Sequence, residues 1–150
     1  MNRVRDFMTE DPVCCLPTTN LKVVAKLMVQ YDCGEIPVVY SIERPKVVGV
    51  ITDRDITCRS VAHGLNPLEM IAEDIMTTPA LVVTMDMSLE DCCTLMKEEK
   101  IRRVPVVDTD EFCCGMISIA DIARKSEDLV AASMIHDISM PTYDFPMEVS

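Results

Sequence analysis

The sequence predicts an α+β fold built from two copies of one strand, helix, strand, strand, helix unit packed face to face, and three observations carry that expectation. The first is self-similarity at a spacing of about 67 residues, the mark of a repeat architecture. Arg5-Asp6-Phe7-Met8-Thr9 returns as Glu73-Asp74-Ile75-Met76-Thr77, and Ile36-Pro37-Val38-Val39 returns as Val104-Pro105-Val106-Val107. The segment from Gly49 to Ile56 returns as Gly115 to Ile122. The second is that helical and strand periodicities alternate at matching places in both copies. The third is size: 49% of the 150 residues are apolar, enough for a real core, while either copy alone is too short to close a large one. The cleft between the copies is the expected seat of function.

Taken in order, Val13 to Leu16 follows Pro12 as a short apolar run, and Leu81 to Val83 follows Pro79 in the same way. Leu21, Val24, Ala25 and Met28 then keep the i, i+3, i+4, i+7 spacing of an amphipathic helix, which Leu89, Cys92, Cys93 and Met96 repeat. Asn20 is the predicted N-cap of the first helix, and Ser88 with Asp91 reads as a capping box for the second. Two hairpins rich in β-branched residues come next, Ile36–Tyr40 with Val47–Thr52 and Val104–Val107 with Phe112–Ser118. Their turns are Glu43-Arg44-Pro45-Lys46, in a longer connection, and Asp108 to Glu111. A helix is expected to start directly after Thr52 and after Ser118.

This gives residues 1–66 as the first repeat with its linker, 67–126 as the second and 127–150 as an acidic tail. Gly64 and Asn66 mark the linker, and Leu68 to Ile71 is expected to add a helical turn. In the tail, Asp128 to Ile138 has a helical pattern, and Pro141 and Pro146 break the later part of the segment.

A formal charge of −11 argues against general affinity for nucleic acid. No apolar run reaches the roughly 18 residues of a membrane helix, and the opening residues lead into no signal-like stretch, so the expected location is the cytoplasm. Lys97, Lys100, Arg102 and Arg103 form the one basic cluster, and a solvated helix end is the simpler reading of it. Seven of the eight cysteines align with apolar residues of the other copy, the pattern of free Cys used as a small buried hydrophobe. No C-x-x-C spacing is present, and neither His63 nor His136 sits at ligand spacing from a Cys pair, so no metal site is expected. Cys58, aligned with Arg124, is the candidate reactive thiol.

The chemistry concentrates where the second hairpin strand meets its helix: Gly-h-h-Thr-x-x-Asp in one copy and Gly-h-h-Ser-x-x-Asp in the other, h being apolar. Two readings apply. Ser/Thr-x-x-Asp is a capping signature, and the same geometry is also a nucleotide position, because free N–H groups at a helix start attract anions while a carboxylate one turn on accepts from vicinal ribose hydroxyls.

The duplicated pattern Met-Thr…Pro…h-h-Pro-h-h…Gly-h-h-Thr/Ser-x-x-Asp, from about Val4 to Arg124, resembles a tandem pair of CBS domains, a Bateman module. Ile51-Thr52-Asp53-Arg54-Asp55 and Arg102-Arg103-Val104-Pro105-Val106 are similar to stand-alone prokaryotic members of that family. The resemblance implies two units joined through their sheets with pseudo-two-fold symmetry, and two clefts for adenosine-based ligands such as AMP, ADP, ATP or S-adenosylmethionine. It also implies a homodimer. By motif, Asp55 and Asp121 are expected to hold ribose hydroxyls, and Thr52 and Ser118 to face phosphate or ribose. Ile36-Pro37 and Val104-Pro105 are expected to line the base. Apart from the resemblance, Arg54 is by its charge the candidate to supply a cation to the first cleft.

Arg103 precedes Val104-Pro105 where Glu35 precedes Ile36-Pro37, so the clefts are expected to differ in charge, the one nearer Arg103 taking the phosphorylated ligand. With no P-loop, nucleophile elbow or dinucleotide fingerprint, the expected role is non-catalytic: a regulatory sensor, needing no cofactor, that acts on a separate effector protein. The competing readings are a dimerising scaffold with vestigial clefts and a thiol-based stress sensor using Cys58 or an exposed Cys pair.

Overall fold

The computed structural model describes residues 2–126 and 128–139. Pro141 and Pro146 lie outside them.

The two copies fold alike. Helix α1 (Leu21–Tyr31) starts at Asn20, whose side chain accepts from the Lys22 N–H, and ends where Asp32 turns left-handed at φ 49°. Its counterpart α3 (Leu89–Glu99) starts at Ser88, whose hydroxyl accepts from the Asp91 N–H, and ends at Lys100 with φ 55°. Only this one arm of the expected capping box forms, and beside it the Leu89 N–H donates to the Asn2 carbonyl and the Val4 N–H to the Met87 carbonyl. Strands β2 (Glu35–Val39) and β3 (Val47–Thr52) form one antiparallel hairpin, and β5 (Arg103–Val107) and β6 (Cys113–Ser118) the other. Both hairpins slip register at the same point, before Val39 and before Val107. Short strand β4 (Val83–Thr84) lies parallel to β5, and in the first copy a single parallel bridge from Cys15 to Val38 takes its place. Helices α2 (Asp53–Arg59) and α4 (Ile119–Lys125) follow directly from β3 and β6. The turn expected at Leu68 to Ile71 is two short 3₁₀ turns, Pro67–Glu69 and Ala72–Asp74.

The copies exchange their opening segments. Strand β1 (Thr9–Glu10) pairs with β6 of the second copy, Thr9 opposite Met116 and Glu10 opposite Gly115, while Thr77 pairs with Val50 of the first. The repeated glycines make room for the exchange. A Cβ on Gly115 would lie 2.8 Å from Met8 Sδ and 3.0 Å from the Thr9 carbonyl oxygen, and one on Gly49 would lie 2.8 Å from Met76 Sδ and 2.9 Å from the Thr77 carbonyl oxygen. Val4, Phe7 and Met8 therefore belong to the core of Val83, Leu89, Met96, Val104, Val106 and Ile117, whereas Ala72 and Ile75 complete the core of Leu21, Val24, Ile36, Val38 and Ile51. The two packing units are not contiguous in sequence.

The described part of the tail, residues 128–139, folds back. Helix α5 (Asp128–Ser139) sinks Ile138 into the second core. Its Asp137 carbonyl accepts from Lys100 Nζ at 2.6 Å, and its carboxylate lies 3.5 Å from Lys97 Nζ. Two of the four clustered cations thus receive the acidic tail.

All eight cysteines are free. Cys15, Cys92 and Cys93 are buried, and burial pushes the Cys15 and Cys92 thiols up to about 12, which keeps them unreactive. Cys14 differs: interaction with the neighbouring Cys113 thiol lowers its pKa and raises that of Cys113. Cys58 is exposed. Among the described residues, no three His, Cys, Asp or Glu are grouped to hold a metal ion, and no helix is long and apolar enough to cross a membrane.

Candidate functional site

Each junction motif begins as a helix cap. Thr52 ends β3 in extended backbone at φ −107°; its hydroxyl accepts from the Asp55 N–H at 3.0 Å, and Asp55 Oδ2 accepts from the Thr52 N–H at 2.9 Å. Ser118 and Asp121 repeat this at 3.1 and 3.0 Å, and the Ser118 hydroxyl also donates to Asp121 Oδ2 at 2.9 Å. The capping reading holds at both positions.

It does not exhaust Asp121. One carboxylate oxygen serves the cap, while Oδ1 accepts from Arg124 Nη2 at 2.5 Å and from the Thr9 hydroxyl at 3.4 Å. The side chain is only 8% exposed, so its charge sits against protein on most sides and its hydrogen bonds are strong. Asp55 is also ringed by its cap, with Arg59 Nε 3.8 Å from Oδ1.

Asp121 opens onto a cavity of about 330 Å³, within the range of small-molecule sites. Three parts of the chain build it. Thr9 to Val13 contributes through the exchanged segment, with Glu10 excepted; Tyr31, Asp32, Cys33 and Glu35 come from the end of α1, the turn after it and the start of β2; Arg103, Met116, Ser118, Ala120, Asp121 and Arg124 come from β5, β6 and α4. Both copies are needed to enclose it.

Of the residues singled out in the sequence, Ser118, Asp121 and Arg103 meet here. Ile36 and Val104 are buried in the two cores, and Pro37 and Pro105 are buried in β2 and β5. Thr52, Arg54 and Asp55 lie at the other junction and do not line this cavity. The expected contrast between a Glu35 cleft and an Arg103 cleft is corrected. Both residues border the same cavity, because the Arg103 guanidinium reaches across to Gly34, where its Nη1 lies 2.9 Å from the place a Cβ would occupy.

Glu35 is the least satisfied group of this wall. Its Oε2 is buried and has no hydrogen-bond partner among the described residues. Burial pushes its carboxyl up to about 7, Arg103 opposes the rise, and Asp55 adds to it. Because the folded value stands above the ordinary 4.5, the folded chain holds this proton longer than the unfolded chain does, and Glu35 costs stability as the pH climbs from about 4.5 to about 7.

Sequence reading missed Thr9, Asp11, Tyr31, Asp32 and Arg124. The Met-Thr repeat was visible, but nothing in it tells that Thr9 serves the second copy. Arg124 stands three residues after Asp121, the spacing of neighbours on a helix face, and that signal was available.

Comparison with known proteins fits this geometry. The CBS domain family matches residues 4–60 and 72–128. The CBS domain-containing protein YhcV of Bacillus subtilis is 36% identical over 93% of this chain and 96% of its own length. A Methanopyrus kandleri protein of uncharacterised function is 33% identical over 85% of this chain, which spans 64% of that longer relative. Among solved structures, hypoxic response protein I with two coordinated zinc ions superposes with a TM-score of 0.75 at 28% identity, covering 84% of this chain and all of that one. CBSX2 of Arabidopsis thaliana in complex with AMP gives 0.70 at 28% identity over 91% and 99% of the two chains. The CBS pair of MJ0100, in complex with 5-methylthioadenosine and S-adenosyl-L-methionine, gives 0.73 at 25% identity over 83% and 94%.

Proposed function

The chain belongs to the CBS domain family, and from that premise we propose that it is a non-catalytic cytoplasmic sensor that binds an adenosine-based ligand in the cavity between its repeats and passes the bound state to a separate protein. The observation that carries this reading is the buried Asp121 carboxylate, placed one helical turn beyond the capping hydroxyl of Ser118 on the wall of a cavity of about 330 Å³. Asp121 accepts the vicinal ribose hydroxyls by giving up Arg124, which is freed to meet the ligand. Arg103 faces the 5′ end of the ligand. The backbone of Val104 and Pro105 borders the base, while Thr52, Arg54, Asp55, Ile36 and Pro37 form the matching half-site of the first copy. A homodimer is supported by the exposed Val61, Leu65 and Leu68 near the linker, apolar surface that a second copy would cover. Signalling requires that the ligand favour one arrangement of the copies over another.

Thermal denaturation with adenosine, AMP, ATP and S-adenosylmethionine tests this. A ligand at a hundredfold excess over its Kd stabilises the folded state by about 2.7 kcal/mol. For a chain of this size that raises Tm by roughly 5–10 °C. No shift with any of the four, in a protein that remains a stable dimer, leaves the scaffold reading in its place.

A further inference from the structure

We propose that Glu35 sets the charge selectivity of the cavity, disfavouring a phosphate beside Arg103 and admitting an uncharged adenosyl ligand. The inference rests on the adenosyl-ligand reading above and adds to it which ligand charge the site accepts.

Three observations support it. Glu35 and Arg103 border the same cavity, and Glu35 Oε2 is buried without a partner among the described residues. Arg124, the other guanidinium of the lining, is held by Asp121 until a ribose displaces it, so Arg103 is the cation an incoming phosphate meets first. The remaining charges around Glu35 are mainly negative: Asp55 from α2 acts on it directly, Asp53 at the head of α2 approaches Gly34, and Asp11 and Asp32 border the cavity. Arg103 is the cation that acts on Glu35 against them. Once Glu35 is ionised, a phosphate drawn to Arg103 meets a carboxylate on the same wall.

That repulsion depends on protonation. Neutral Glu35 becomes an O–H donor able to give its hydrogen bond to a phosphate oxygen, whereas ionised Glu35 only accepts. Phosphate binding therefore takes up a proton from solvent, while adenosine binding does not. Because burial holds the Glu35 carboxyl near 7, this exchange falls in the neutral range. Acidification favours AMP over adenosine, and a rise in pH reverses the preference.

Calorimetric titration of wild type and Glu35→Gln with AMP and with adenosine, at about pH 5.5 and about pH 8 to bracket the carboxyl, tests the proposal. For like charges a few ångströms apart at the rim of a protein interior, the variant should bind AMP roughly tenfold more tightly than wild type at the higher pH. At the lower pH the two proteins should agree within about twofold, and adenosine should not distinguish them at either pH. Titration of the AMP phosphate itself cancels in the ratio of the two proteins. Proton uptake on AMP binding near neutrality, measured in buffers of different ionisation enthalpy, should be larger in wild type than in Glu35→Gln, and adenosine binding should show no such difference.

An AMP ratio that is the same at both pH values, or one shared by adenosine, overturns the role of Glu35 while leaving the adenosyl site standing. If neither compound binds either protein, the adenosyl reading falls and this inference with it.

Discussion

Asp121→Ala removes adenosyl-ligand binding and leaves a folded chain. The carboxylate has two jobs on two oxygens: Oδ2 closes the cap of α4, and Oδ1 faces Arg124 and Thr9 at the cavity. Losing the cap costs about 0.5–2 kcal/mol of stability. Losing a charged acceptor for two ribose hydroxyls costs about 1.5–3 kcal/mol for each bond. The second loss dominates function, and calorimetry with adenosine should show affinity falling by about a hundredfold or more. Asp55→Ala is the control. It loses an equivalent cap but does not line the cavity, so Tm should fall comparably while adenosine still binds there. Equal loss of binding in both variants would reduce Asp121 to a helix cap.

Phe7→Ala should be the most destabilising single truncation at the start of the chain, and its damage should appear in the wrong half of the sequence. Phe7 is 6% exposed and packs with Leu89, Met96 and Val104 of the second copy, the chain having crossed over before Thr9 pairs with Met116. Emptying a buried phenylalanine site costs about 3–5 kcal/mol. Amide exchange should accelerate in α3, β5 and β6, while β2 and β3 keep their protection. Ile75→Ala should do the reverse, because Ile75 completes the first core from beyond the linker. Protection lost first in β2 and β3 of the Phe7 variant would mean that each repeat closes its own core.

Much of this fold was legible because it depends on local chemistry that is written twice. The hairpins, the four repeat helices and both capping junctions follow from β-branched runs, apolar spacing and Ser/Thr-x-x-Asp, which act over a few residues. The exchange of opening segments was not legible, since pairing of Thr9 with Met116 rather than with its own copy is decided by packing at long range. For the same reason, Ser118 and Asp121 could be read as site residues while Thr9 and Asp32, which share their cavity, could not. Alignment of the copies set Glu35 against Arg103 as equivalents, and equivalence in sequence concealed that side chains near a pseudo-dyad can meet. The docking of Asp137 against Lys97 and Lys100 was hidden too, because the tail has no counterpart in the repeat to compare.

The central claim is that the Asp121 carboxylate holds the ribose of an adenosine-based ligand between the repeats. A crystal structure of the wild-type chain soaked with adenosine tests it most directly. The expected result is adenosine in the cavity with both ribose hydroxyls donating to Asp121, and Arg124 displaced from Oδ1. Adenosine elsewhere on the chain, or in the cavity with Asp121 still paired to Arg124 and no ribose contact, would contradict it.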